Sequence, residues 1–143
     1  MESNLKIHHH SLKYTATAIL LACFFAFQPL AVGAQMPEAG KVNAFLGKSL
    51  IDDFGKHLLV IDVRTAEELG QGHIPGAINI PIEDLAQRSA EIPPNVPTLL
   101  VCRTGRRAEA AYLMLQKSEL QHAQLWYLAA TPVYGKNGTF TFK

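Results

Sequence analysis

The sequence predicts an α/β domain: a central, mostly parallel sheet flanked by helices. Three observations carry that expectation. Four short apolar runs, at residues 58–63, 77–80, 98–101 and 124–128, are rich in branched or aromatic side chains and have the length of strands. The segments between them carry helix caps or helical spacing. Glycine and proline clusters punctuate the joins. Strands that alternate with helices are joined by crossovers, and crossovers produce parallel pairing.

The first 34 of the 143 residues read as a targeting segment rather than as fold. Lys6 and Lys13 lie in a polar start, with His8, His9 and His10 between them. An apolar run follows over residues 16–27, then Pro29, then Val32-Gly33-Ala34, a small-residue cleavage pattern before Gln35. A basic start, a short apolar core and a small-residue exit form a secretory signal peptide. The run is short for a bilayer path of about 20 residues, and Gln28-Pro29 interrupts it. The strongly apolar stretch after Cys23 argues against a lipoprotein box at Leu20-Leu21-Ala22-Cys23. The expectation is an exported, most simply periplasmic, chain with residues 1–34 removed and residues 35–143 forming one domain that is free of the membrane.

Of 13 Lys+Arg and 12 Asp+Glu, only Lys6, Lys13 and Glu2 fall in the first 34 residues, which leaves 11 of each. A formal charge of zero gives no support to nucleic-acid binding driven by bulk charge. Cys23 leaves with the export segment, so Cys102 has no intramolecular disulfide partner. An unpaired cysteine in an exported protein is either a reactive thiol, an intermolecular bridge or an inert core residue. Cysteine count alone leaves these readings open. The six histidines show no ligand spacing, so no metal is expected.

Along the remaining chain, Pro37 and the spacing of Val42, Phe45, Leu46 and Leu50 predict a short amphipathic helix within residues 35–50. Residues 58–63 predict a strand buried on both faces. Thr65 and Glu68 form a capping-box pattern for a short helix ending by Gly70 and Gly72. Residues 77–80 predict a second strand between Pro75-Gly76 and Pro81. Residues 82–92 predict a helix with Ile82, Leu85, Ala86 and Ile92 inward, stopped by Pro93-Pro94. Residues 98–101 predict a third strand that runs straight into Cys102. Residues 106–119 predict a helix whose core side holds Ala110, Ala111, Leu113, Met114 and Leu115. Residues 124–128 predict the last clear strand, with Trp126 and Tyr127 in the core. The end, residues 131–143, fits either a hairpin around Gly135-Lys136-Asn137-Gly138 or a loose tail. Asn137-Gly138-Thr139 also fits a glycosylation sequon.

The chemistry concentrates in Cys102-Arg103-Thr104-Gly105-Arg106-Arg107, between a strand and a helix. Open α/β sheets place ligands at the carboxyl ends of their strands. A loop entering a helix N-terminus presents backbone N–H groups, and the helix dipole favours an anion there. Gly105 lets the loop curl around one point, and three arginines add positive charge. Together these favour an anionic sulfur on Cys102 and attract an anionic substrate.

A second segment adds to this. Asp62-Val63-Arg64, then Glu67, then Gly72-His73-Ile74-Pro75-Gly76-Ala77-Ile78-Asn79-Ile80-Pro81, resembles the N-terminal signature of the rhodanese family. The loop from Cys102 to Arg107 resembles that family's active-site loop, and the two segments stand in the family's order. The resemblance extends over residues 58–128. It implies a rhodanese fold with no metal or organic cofactor. It implies that Cys102 attacks a donor such as thiosulfate, becomes a persulfide, and passes the sulfur to a thiol or cyanide. The amides of residues 103–107 would cradle the persulfide, Arg103 and Arg106 would meet the anionic donor, and Arg107 would close the loop. Arg107 stands five positions after Cys102, whereas the related phosphatases and arsenate reductases have one more residue in the loop, so the shorter loop favours sulfur over phosphate. Asp62 and Arg64 are expected to hold the fold beside the loop, and His73 to fix a turn. One departure stands out: Ala129-Ala130-Thr131-Pro132 replaces the paired glycines that the family often has after the last strand. That departure keeps open a second reading, a non-catalytic module that binds a partner or delivers sulfur.

Overall fold

The computed structural model describes residues 36–118, 120, 122 and 124–143. The export segment expected at residues 1–34 lies outside them. Pro37–Lys143 forms one contact unit. Its elements are β1 (Gly40–Val42), α1 (Ala44–Phe54), β2 (Leu59–Asp62), α2 (Ala66–Gly70), β3 (Ile78–Asn79), α3 (Leu85–Arg88), β4 (Thr98–Val101), α4 (Arg106–Gln116), β5 (Leu125–Leu128), β6 (Pro132–Tyr134) and β7 (Phe140–Phe142).

The sheet runs β1-β5-β4-β2-β3, and every neighbouring pair is parallel. The central strand β4 pairs with β2, Asp62 opposite Val101, and with β5, Leu100 opposite Tyr127. All four residues of β4 and all four of β5 are buried. That is the pattern of strands covered on both faces, and it explains why their sequences are continuous apolar runs rather than alternating ones. The core gathers Ile61, Leu100, Leu125, Ile80, Leu85 and Leu115.

Five sequence expectations are corrected. Residues 35–50 are not one helix: Gly40–Val42 is a strand paired with β5, and the helix begins at Ala44 behind Asn43, whose Oδ1 accepts from the Leu46 N–H at 2.9 Å. Gly40 has φ +124°, which no helix accommodates, and its strand partner is distant in sequence. Pro37 therefore starts no helix; its carbonyl, like that of Glu38, accepts from Trp126 Nε1. In α3, Leu85 and Ile92 are buried as expected, but Ala86 faces solvent. The α-helix there spans only Leu85–Arg88 before a 3₁₀ turn, Ser89–Glu91.

The buried face of α4 is Ala108, Ala111 and Leu115, while Ala110, Leu113 and Met114 point outward. Spacing i, i+3, i+7 defines the face, and the alanines let the helix lie close to the sheet. The fifth difference is the length of α4, which ends at Gln116. The tail is a hairpin: β6 and β7 pair antiparallel, with Asn137 and Gly138 at φ +58° and +74° in the connecting turn. Both residue types tolerate that left-handed region. Trp126 and Tyr127 are core residues as expected.

Candidate active site

Cys102 immediately follows β4, at the carboxyl end of the central strand. The loop then turns through Gly105, the N-cap of α4, at φ +88°. A Cβ there would stand 3.0 Å from both the Ala129 Cα and the Leu128 carbonyl oxygen, so space as well as backbone angle requires glycine. Ala129, in the segment where paired glycines are replaced, thus abuts the back of the cysteine loop.

Cys102 is only 1% exposed and packs within the apolar core cluster. Its Sγ accepts N–H groups from Gly105 at 3.1 Å and Ala108 at 3.4 Å. The Ala108 N–H is one of the free amides of the first turn of α4, which have no partner within the helix. The cradle therefore differs from the expected ring over residues 103–107. Among the described residues, only Gly105 within that span donates to the sulfur, and the second donor, Ala108, lies beyond it. The sequence reading missed this amide; the helix start it placed at Arg106 is the signal from which the amide could have been found.

Arg103, Thr104 and Arg106 are exposed and Arg107 is half-buried. With Glu68 and Ala110 they line an open depression of about 510 Å³. Arg107 donates to both carboxylate oxygens of Glu68, at 2.6 and 2.7 Å. This bidentate geometry fixes orientation as well as charge. Glu68 was visible in the sequence as a capping residue, and the Thr65 capping box is present. Its second role, joining α2 to the cysteine loop, required the fold.

Beneath this contact lies a buried ion pair. Arg64 Nε donates to Asp62 Oδ1 at 2.9 Å and Nη2 to Oδ2 at 2.6 Å. The same guanidinium donates to the carbonyls of Gly72 at 2.7 Å and Glu68 at 3.2 Å. Asn79 Nδ2 donates to the carbonyls of Asp62 and Arg64, both at 2.8 Å. The signature segment is thus a hydrogen-bonded frame that positions α2, and through Glu68 positions Arg107. His73 is exposed, with Nδ1 3.2 Å from the Leu69 carbonyl oxygen, at the turn expected of it. Among the described residues no His, Cys, Asp and Glu group fits a metal ion, and no helix is long and apolar enough to cross a membrane.

The Arg107 hydrogen bonds hold the Glu68 carboxyl down from 4.5 to about 2. A carboxyl depressed in the folded state contributes stability above its unfolded value and loses it as pH falls through the folded value. We expect the urea midpoint of the protein to decline between pH 4.5 and 2, and Glu68→Gln to remove that part of the decline. The effect should be about 1 kcal/mol, because both side chains remain partly solvated. A variant whose pH profile superimposes on the wild type would show that the pair contributes nothing.

Residues 46–130 match the Rhodanese-like domain. A protein named sulfurtransferase from Allochromatium vinosum is 39% identical over 61 residues, covering 41% of this chain and 57% of that one. The thiosulfate sulfurtransferase PspE of Escherichia coli is 35% identical over 66 residues, covering 45% and 64%. The chain spans less than two thirds of the length of the curated relatives it matches. The crystal structure of a rhodanese-related protein from Thermoplasma volcanium is similar with a TM-score of 0.52 at 27% identity, covering 62% of this chain and 83% of that chain. A match over more than half of the sequence, on the same parallel sheet and with the cysteine loop at its carboxyl edge, means that the chain belongs to the rhodanese-like family.

Proposed function

We propose that this protein is a thiosulfate sulfurtransferase that carries sulfur as a persulfide on Cys102. The observation that carries the reading is the Cys102 sulfur itself. It receives amide N–H groups from Gly105 and Ala108 at the carboxyl end of β4, beside a depression lined by Arg103, Arg106 and Arg107. Amide dipoles aimed at one sulfur stabilise negative charge where it must reside during the reaction.

In the first step the Cys102 thiolate attacks the outer sulfur of thiosulfate. A new S–S bond forms, the sulfur–sulfur bond of thiosulfate breaks, and sulfite leaves with the bonding pair. In the second step cyanide, or a thiolate, attacks the terminal sulfur and the Cys102 thiolate is released. This is two-step nucleophilic catalysis. Arg103 and Arg106 face solvent in the depression and meet the anionic donor, with Thr104 between them; Arg107 is held by Glu68 and shapes the wall. The reading needs no metal or organic cofactor.

The chemistry is tested by mass spectrometry of the protein after thiosulfate treatment. One added sulfur on the Cys102 peptide is expected. Arg106→Ala should need several-fold more thiosulfate for half-loading, since it loses a charged contact to the donor. A chain that never gains sulfur would overturn the reading.

A second reading, sulfur delivery within a complex, is favoured by the burial of Cys102 and by Ala129 packed against its loop. It predicts stoichiometric loading but little turnover with cyanide. We also place the protein outside the cytoplasm, in a periplasm, on the strength of residues 6–34. A periplasmic chain beginning at Gln35 is expected, and an unprocessed cytosolic chain would refute it.

A further inference from the structure

The C-terminal hairpin reaches back to the ion pair of the signature segment. Its base is closed by Thr131 and Lys143, whose backbones exchange N–H and carbonyl groups at 2.9 Å in both directions. Its second strand packs on α1, where Lys48 Nζ lies 5.5 Å from the Phe140 ring centroid. Anchored there, the hairpin carries Tyr134, the last residue of β6, to Arg64. The Arg64 Cζ lies over the Tyr134 ring, 5.0 Å from its centroid. That is within the range in which a ring face attracts a guanidinium, and the attraction is stronger where water is excluded.

The hydrogen bonds of Arg64 tie it to its own segment, residues 62–72: to the Asp62 carboxylate and to the carbonyls of Glu68 and Gly72. Tyr134 joins the same guanidinium to a distant part of the chain. The ring is itself seated on that segment. A Cβ added at Gly72 would fall 2.8 Å from the Tyr134 Cβ and 2.9 Å from its Cγ, so glycine at this point of the signature leaves room for the tyrosine. The Tyr134 hydroxyl has no hydrogen-bond partner among the described residues. The ring, and not the hydroxyl, therefore makes the contact.

From Arg64 the contacts run on to the donor depression. Arg64 Nη1 holds the Glu68 carbonyl, and the Glu68 carboxylate holds both Nη atoms of Arg107. Arg107 lines the depression. A two-point hydrogen bond of this kind is directional, so a small shift of α2 weakens it. We propose that Tyr134 is a positioning residue for the sulfur donor: its ring, seated on Gly72 and against Arg64, fixes α2 so that Glu68 keeps Arg107 in the wall that thiosulfate meets. It acts through Arg64, Glu68 and Arg107 and takes no step in the chemistry. This inference rests on the sulfurtransferase reading and adds to it a residue from outside the family-like segments.

The test measures sulfite release against thiosulfate, and separately against cyanide, in wild type, Tyr134→Leu and Tyr134→Phe. In a two-step exchange the two dependences report separate half-reactions. Tyr134→Leu should lower kcat/KM for thiosulfate by about five-fold, the size of a lost ring–guanidinium contact. Cyanide attacks a sulfur beside the Gly105 and Ala108 amides and needs no arginine wall, so its kcat/KM should change by less than about two-fold. Tyr134→Phe keeps the ring and should match the wild type with both substrates. Equal losses in the two half-reactions of Tyr134→Leu would reveal a merely structural residue and overturn the role, as would wild-type kinetics in that variant. Equal impairment of Tyr134→Phe and Tyr134→Leu would also overturn it, because the hydroxyl would then be the working part. If Tyr134→Leu does not fold, Tyr134→Met, an adaptable filler without a ring, is measured in its place. Failure of both to fold would make the ring a folding element and overturn the role. Each of these outcomes leaves the sulfurtransferase reading intact, whereas a wild-type chain that takes up no sulfur would overturn both.

Discussion

Cys102→Ser should abolish sulfite release from thiosulfate in the presence of cyanide, by about a thousand-fold or more, while leaving the fold intact. The loss follows from the chemistry of the nucleophile. A serine hydroxyl is not ionised near neutral pH and forms no S–S bond, so neither the first nor the second step can proceed. The retained fold follows from the geometry. Cysteine and serine differ by one atom, and a serine Oγ in the same pocket can still accept from the Gly105 and Ala108 amides that hold Sγ at 3.1 and 3.4 Å. Activity and stability therefore separate in this variant, which makes it a cleaner test than any change to the loop backbone. Sulfite production is followed continuously and the protein mass is checked for added sulfur. Turnover at the wild-type rate would end the claim that Cys102 is the nucleophile.

The largest effect on stability should come from Asp62→Ala. Asp62 is fully buried and Arg64 is 5% exposed, so removing the carboxylate strands a guanidinium in the core. Breaking one side of a buried pair costs about 3–5 kcal/mol, a large share of the roughly 5–15 kcal/mol that stabilises a domain. The urea midpoint should fall accordingly. Replacing both partners by apolar residues should be milder than either single change, since no charge is left unpaired. Arg64 also holds the Gly72 and Glu68 carbonyls, so the double variant should keep much of its stability but lose sulfur transfer as α2 and Arg107 drift. A midpoint unchanged in Asp62→Ala would show that the pair is decoration.

Much of this was readable from the chain. The runs at 59–62, 98–101 and 125–128 became strands because continuous branched and aromatic residues suit a sheet covered on both faces. The Thr65–Glu68 capping box formed because its hydrogen bonds lie within one turn. The position of Cys102 between strand and helix placed it where amides converge. All of these are decided by neighbours close in sequence, or by a hydrophobic pattern that any buried strand must satisfy.

Other features waited on tertiary structure. Gly40–Val42 is a strand only because β5 lies beside it, and α4 buries Ala108 rather than Leu113 because the sheet dictates which face is inward. Glu68 reaches Arg107 and Tyr134 folds over Arg64, each through contacts that no local pattern encodes. The sequence by itself determined which cysteine stands between a central strand and a helix start, because that follows from short-range geometry. Only the folded chain decided what surrounds that cysteine, because long-range packing sets which donors, charges and rings come within a few ångströms of it.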